Sequence, residues 1–148
     1  MQEKRIGVEL RAMNNLLKRR AEASPVHGDI DALTGTHGYV LGYLAHHRDR
    51  PQYQRDIEQV FSIRPSTATV ILQNMEQNGL ITREPAPHDA RLKRIVLTDK
   101  ALALHERVEA EHVQTEQLLR QGLTKDELDT FFRVADKIKA TLDRRDPT

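Results

Sequence analysis

Residues 63 to 79 read IRPSTATVILQNMEQNG and carry the start and stop signals of one helix. Pro65 suits the first helical position, where its missing N–H is not needed, and Gly79 suits the left-handed residue just after a helix. A shorter helix is predicted from Tyr53 to Val60, and only the turn FSIR separates the two. The sequence therefore predicts a helix-turn-helix pair.

The two sides of the helix that starts at Pro65 differ in chemistry. At about 100° per residue, its apolar residues gather on one side: Ala68, Leu72 and Met75, with Ile71 at the edge. The opposite side carries Ser66, Val70, Gln73 and Gln77. Short hydroxyl and amide groups can hydrogen-bond base edges or phosphates in a major groove, and Val70 can touch a thymine methyl group. Taken alone, the pattern fits an ordinary solvated helix equally well.

Two β-prone runs, LITRE and LKRIVLT, follow this helix at once. They are joined by PAPHDA, whose two prolines predict a hairpin with a long tip. A helix-turn-helix followed by a hairpin is the order of a winged helix. The stretch PAPHDARLKR holds Arg91, Lys93 and Arg94 beside a single acid, Asp89. An arginine on such a wing can enter the narrow minor groove, and Asp89 can orient Arg91.

Further helices are predicted on both sides of this winged helix. A first helix over residues 4 to 22 ends before Pro25 and Gly28, and a second, capped by Thr34, stops near HHRDRP. The first of these two helices has apolar residues at 4-3-4 spacing: Ile6, Leu10, Met13 and Leu17.

The C-terminal part predicts two more helices. Thr98 caps a long helix that is exposed on most sides and is broken by Gly122. A capping box from Thr124 to Glu127 opens the last helix. Its apolar stripe consists of Leu128, Phe131, Ala135, Ile138 and Leu142.

Composition narrows the class of protein. The 148 residues fit one domain, and no apolar run approaches the roughly 20 residues of a membrane span. The start MQEKRIGVEL lacks the features of a signal peptide and cysteine is absent, which together predict a soluble, cytoplasmic protein. A net charge of +1 is too small to indicate nucleic-acid binding. Evidence for a DNA-binding role must therefore come from where the charges lie.

The run from Leu33 to Ala101 resembles the MarR family of winged-helix transcriptional regulators. The resemblance rests on RPSTATVILQNMEQNGLITRE and DARLKRIVLTDKA, with an S-T-x-T start of the recognition helix, N-G-L-I, D-x-R in the wing and L-T before the next helix. Ala101 stands where many members have glycine. Pro65 and Val70 stand where relatives are often polar or basic, so the base preference cannot be inferred.

The resemblance implies a mainly α fold, in which a winged helix-turn-helix with a small β-hairpin wing is flanked by N- and C-terminal dimerisation helices. It assigns residues 34–99 to a DNA-binding lobe, and residues 1–24 and 100–145 to a dimerisation lobe. It also implies a homodimer that binds a pseudo-palindromic operator, commonly as a ligand-responsive repressor. Together with the helix and wing patterns, it predicts DNA contacts from Gln54, Arg55, Arg64, Ser66, Thr67, Thr69, Val70, Gln73, Asn74, Arg91, Lys93 and Arg94.

Several hypotheses are possible for the signal that regulates DNA binding. The resemblance suggests a small-molecule effector near Tyr39, Tyr43 and His46, although this spacing is more typical of core or dimer contacts. Thiol sensing is excluded because there is no cysteine. A weaker alternative is a metal-responsive regulator, and its candidate ligands are His46, His47, His105, Glu109 and His112.

Two other function classes compete with DNA binding. An enzyme is disfavoured because no G-x-S-x-G, P-loop, dinucleotide fingerprint or H-E-x-x-H motif occurs, and no cofactor is predicted. A winged helix that binds protein instead of DNA is more credible. The low net charge favours it, and so does the recognition helix, where Arg64 at the start is the only cation.

Overall fold

The computed structural model describes residues 3–23 and 36–143. Its elements in chain order are helices α1 (Ile6–Glu22), α2 (Thr36–His46), α3 (Gln54–Phe61) and α4 (Pro65–Gln77), strands β1 (Ile81–Ala86) and β2 (Asp89–Leu97), and helices α5 (Asp99–Arg120) and α6 (Lys125–Leu142). This confirms the predicted fold class, a mainly helical protein with one antiparallel hairpin. Two compact units are present, Met1–Glu111 and His112–Thr148. Pro25, Gly28 and Thr34, which were predicted to end α1 and cap α2, lie outside the described residues.

The core of the first unit is built from α2, α3, α4, the hairpin and the start of α5. Its largest fully buried side chains are Leu41, Ile57, Leu72, Met75, Leu80, Ile81 and Val40. Burying each such side chain contributes about 1.5–3 kcal/mol. On α4 the buried residues are Ala68, Ile71, Leu72 and Met75, as the helical spacing predicted. One side of α4 is therefore held in the core, and the other side is left for solvent or a partner.

The end of α4 is set by a glycine. Gly79 has φ +72°, a conformation that side chains with a Cβ rarely adopt. Leu80 N donates to Met75 O at 2.9 Å and Gly79 N donates to Glu76 O at 3.1 Å, which together form a Schellman motif. Because Leu80 and Met75 are also buried, this motif directs the chain from α4 into β1.

The hairpin tip is shorter than the sequence predicted. β1 and β2 pair from Ile81↔Leu97 through Pro85↔Lys93 to Ala86↔Asp89, with a register shift after Pro85. Only two residues therefore separate the strands, and the extra length is taken up by an irregularity in β2. Pro85 is tolerated because β1 is the edge strand. The other side of β2 is bridged through Ile95 to Gln52, whose carbonyl oxygen accepts from Ile95 N at 2.8 Å.

Two predicted helix caps have the expected contacts. Thr98 Oγ1 accepts from Ala101 N at 3.2 Å at the start of α5, and it lies 2.6 Å from Gly79 O, to which it donates. Thr124 Oγ1 accepts from Glu127 N at 3.1 Å, and Thr124 N donates to Glu127 Oε1 at 2.9 Å. Gly122, at φ +80°, separates α5 from α6 as predicted.

Three helices have few or no fully buried residues. α5 buries only Ala101, Leu104 and Val108, so its predicted exposure is confirmed. α1 and α6 have no buried residue. Of their predicted stripes, Ile6 is 65% exposed and Leu142 is 76% exposed. None of the helices in the described ranges is long and apolar enough to cross a membrane.

Candidate nucleic-acid interface

The outward face of α4 is polar and largely uncharged. Ser66, Thr67 and Gln73 are exposed, and Val70 is exposed by 61% of its surface. Asn74, nearer the end of the helix, is half-buried, and Asn78 Nδ2 donates to its backbone oxygen at 2.7 Å. These short side chains offer donors, acceptors and one apolar contact to a groove, without long flexible cations among them.

Gln54 and Thr69 connect the two helices of the helix-turn-helix. Thr69 Oγ1 donates to Pro65 O at 2.8 Å and accepts from Gln54 Nε2 at 3.0 Å. The same amide nitrogen lies 3.2 Å from Pro65 O and 3.2 Å from Glu58 Oε2. Thr69 therefore uses its only hydroxyl hydrogen and one of its two lone pairs inside the protein. Both residues were predicted as DNA contacts, and both also position α4 against α3.

The wing presents a braced arginine. The side chain of Arg91 is 94% exposed, and its Nε lies 3.3 Å from Asp89 Oδ1. The same carboxylate oxygen accepts from Arg91 N at 3.0 Å. One acid therefore holds both the backbone and the guanidinium at the hairpin tip, while the rest of the side chain extends into solvent.

The remaining predicted cations lie on the wing and at helix starts. Lys93 is exposed, and Arg94 is half-buried and paired across the hairpin with Glu84. Arg64 is exposed at the N-cap of α4. Arg55 is exposed in the first turn of α3, with its guanidinium carbon 5.9 Å from the centre of the Tyr53 ring. A helix N-terminus favours anions, so Arg55 and Arg64 add charge where a phosphate would already be attracted.

Sequence patterns missed two residues that position the site. Lys100 Nζ donates to Asn78 O at 2.7 Å and places a positive charge at the C-terminal end of α4, which the helix dipole favours. Gln52 is a buried polar residue whose Oε1 accepts from the Tyr43 hydroxyl at 2.9 Å. No local signal pointed to either residue, because each contacts a partner that is distant in the sequence.

The residues predicted for an effector pocket have different neighbours. The Tyr43 ring stacks on His47 at 4.1 Å between centroids and meets the edge of Phe61. Burial, and then the charge of Asp56, raises the pKa of the Tyr43 hydroxyl above its ordinary value. The hydroxyl donates to Gln52 Oε1.

Tyr39 and His46, the other two members of this predicted pocket, lie on the surface. His46 Nε2 lies 3.4 Å from Glu109 Oε1. His47, a candidate metal ligand, has its Nδ1 2.8 Å from Tyr43 O. The second-helix stripe thus combines packing contacts around Tyr43 with a separate polar cluster around His46.

Comparisons with known proteins agree on one family. The sequence profile of the MarR family matches residues 33–92. The solved transcription regulator MarR from Oenococcus oeni PSU-1 is 30% identical, covering 90% of this chain and 98% of that one, with a TM-score of 0.79. S. aureus MepR in a complex with DNA is 26% identical, covering 94% and 97% of the two chains, with a TM-score of 0.83. Apo, heme-free PefR is 25% identical, covering 90% and 94%, with a TM-score of 0.68.

The similar MepR structure is of a complex with DNA, and its similarity extends over 94% of this chain. Identity of 30% extends over almost all of the solved MarR regulator. The chain therefore belongs to the MarR family of DNA-binding, winged-helix transcription regulators.

Proposed function

We propose that the protein binds a pseudo-palindromic DNA operator as a homodimer and acts as a ligand-responsive repressor. The observation that carries this proposal is the division of chemistry between α4 and the wing. Ser66, Thr67 and Gln73 offer short polar groups on an exposed face, whereas the exposed Arg91 is braced by Asp89 beside it. Short groups suit base edges, and cations suit phosphates or the minor groove.

The roles within this interface follow from the contacts. Phosphate attraction falls to Arg55, Arg64 and the wing residues Lys93 and Arg94. Base readout falls to the exposed side of α4: Ser66, Thr67, Val70 and Gln73, with Asn74 at its end. Gln54 and Thr69 hold the angle between α3 and α4 and leave their remaining hydrogen-bonding capacity for DNA.

The homodimer is supported by the apolar side chains that α1 and α6 expose. Soluble monomers rarely leave extended apolar stripes in water, and a second copy can cover such stripes through a two-fold axis. That axis would bring two recognition helices to successive major grooves about 34 Å apart. The proposed operator is therefore an inverted repeat with half-sites about one helical turn apart.

The proposed ligand response is assigned to α2. In this chain, the stripe of Tyr39, Tyr43 and His46 supplies aromatic and imidazole groups on α2, close to the start of the winged helix. A small molecule bound there would act on the packing of α2 against α3.

Selection of bound fragments from random double-stranded DNA tests the proposal. Enrichment of an inverted repeat supports DNA reading, two-fold symmetry and the half-site spacing together. Enrichment of a single half-site would contradict the dimer. Failure to retain any DNA at low salt would favour the alternative, a winged helix that binds protein.

A further inference from the structure

We propose that His46, His105 and Glu109 form a binding site for one divalent transition-metal ion, with Zn²⁺ as the best fit. His46 is the last residue of α2, and the other two lie on α5. One potential ligand atom from each residue lies within 4.8 Å of the others. The inference needs none of the proposed DNA contacts.

The distances between the potential ligand atoms suit an ion with tetrahedral coordination. Ligands bound about 2.0–2.1 Å from Zn²⁺ in tetrahedral geometry are about 3.4 Å from each other. His46 Nε2 and Glu109 Oε1 are already 3.4 Å apart. Since no separation in the cluster exceeds 4.8 Å, closing it requires side-chain shifts of about 1.4 Å at most. His46 is exposed and its ring can rotate by that amount.

The positions on α5 also favour a shared ligand. His105 and Glu109 are four residues apart and therefore lie one above the other on the same face of the helix. The Glu109 carboxylate lies against α2, because a Cβ added to Gly42 would be 4.0 Å from its Oε2. This is ordinary van der Waals distance, and it places the carboxylate beside the turn of α2 that precedes His46.

The His105 ring is incompletely hydrogen-bonded in the part of the chain that the structure describes. Within the described residues, its Nδ1 is buried and has no hydrogen-bond partner. The ring meets His46 edge to face, with the centroids 5.3 Å apart. Because no hydrogen bond at Nδ1 fixes the tautomer, either nitrogen can carry the lone pair that a metal requires.

The donor set indicates the chemical class of the ion. Two neutral imidazoles and one carboxylate suit Zn²⁺ and related first-row ions, whereas Mg²⁺ and Ca²⁺ prefer oxygen ligands. Three protein ligands leave a fourth position for water or another ligand. His47 is outside this set, because the group of ligand atoms that lie within 4.8 Å of one another contains only His46, His105 and Glu109.

Metal titration of the full-length, metal-free protein tests the site without any DNA. Calorimetry with Zn²⁺ should give one ion per chain, and Co²⁺ should give the intense visible absorption of a tetrahedral site. His105→Ala and Glu109→Gln should each weaken Zn²⁺ binding at least tenfold, roughly the lower limit for losing even an indirect partner of a metal ligand. His88→Ala, at the exposed wing tip, is the matched control and should bind like the parent.

Circular dichroism verifies that each variant is folded, and the isosteric Glu109→Gln change keeps the test meaningful if His105→Ala is unstable. The proposal is overturned if the parent binds less than one ion per chain. It is also overturned if both ligand variants bind as tightly as the parent, or if His88→Ala loses affinity equally. None of these results bears on operator selection, so this site and the proposed DNA function can fail separately.

Discussion

At the scale of single residues, the polar groups of the helix-turn-helix divide into those that hold the site and those that face outward. Thr69 looks like a base reader from its position, yet its hydroxyl is engaged by Gln54 and Pro65 O. Gln73 is exposed on the same helix. Removing the Gln73 side chain should therefore affect DNA binding alone. Removing the Thr69 side chain should also weaken the contact between α3 and α4.

Gln73→Ala tests base readout. A good pair of hydrogen bonds to a base contributes about 1–3 kcal/mol of discrimination. The variant should lose affinity for the selected operator by about that amount and keep its affinity for random DNA, as measured by fluorescence anisotropy on both duplexes. Gln117→Ala, an exposed glutamine on α5, is the matched control. Equal losses on both duplexes would count against base readout by Gln73.

Arg91→Ala tests the wing. Each lost phosphate neutralisation reduces the slope of log affinity against log salt by about 0.9. The variant should bind the operator more weakly and with a slope lower by about one, measured over a salt series. Arg133→Ala, an exposed arginine on α6, should leave both quantities unchanged.

Asp89→Asn removes the charge that braces Arg91 but keeps the side-chain size. It should give a smaller loss of affinity than Arg91→Ala, because the cation remains but its orientation is less restricted. If Arg91→Ala binds the operator with the affinity and the salt slope of the parent protein, the wing arginine has no part in DNA binding.

At the scale of elements, helix boundaries are where sequence interpretation succeeds best. Pro65 at the start of α4, the Thr124 box at the start of α6 and the glycines at φ +72° and +80° were all identified from local signals. Caps depend on residues within one turn, so their chemistry can be read locally. The length of the hairpin tip was predicted wrongly from local signals, because it depends on the pairing of the two strands.

Gly79→Ala tests the junction between α4 and β1. A left-handed conformation costs a residue with a Cβ about 1–2 kcal/mol, so the free energy of unfolding should fall by about that amount in urea denaturation. Gly7→Ala is the matched control, because Gly7 lies within α1 with nothing near an added Cβ. Because Gly7 lies in the first turn of α1, the variant should leave stability unchanged or raise it by less than the roughly 0.5–1 kcal/mol that applies in the middle of a helix. An unchanged midpoint for Gly79→Ala would contradict this account of the junction.

At the scale of the whole molecule, the exposed apolar side chains of α1 and α6 are the feature that predicts a partner. Phe131, on the α6 stripe, is 53% exposed and its ring meets Phe132 edge to face. In the proposed homodimer such side chains are interface residues, and their burial would drive association.

Phe131→Glu should convert the dimer to a monomer at micromolar concentration, because a carboxylate would be buried without a partner. Light scattering gives the mass directly. Val60→Glu places the same charge on an exposed valine of α3, outside both stripes, and should leave the mass unchanged. A monomeric parent protein would refute the homodimer itself.

Local sequence determined the order of the elements, most of their ends, the buried side of α4 and the family of regulators. These features depend on periodicity and on contacts within a turn or two. Only the tertiary structure decided the short hairpin tip, the bridge from Gln52 to Ile95 and the bond from Gln54 to Thr69. It also decided which of the candidate metal ligands come together, namely His46, His105 and Glu109. The length of the hairpin tip depends on strand pairing. In the other cases the partners are far apart along the chain, and packing of the core brings them together.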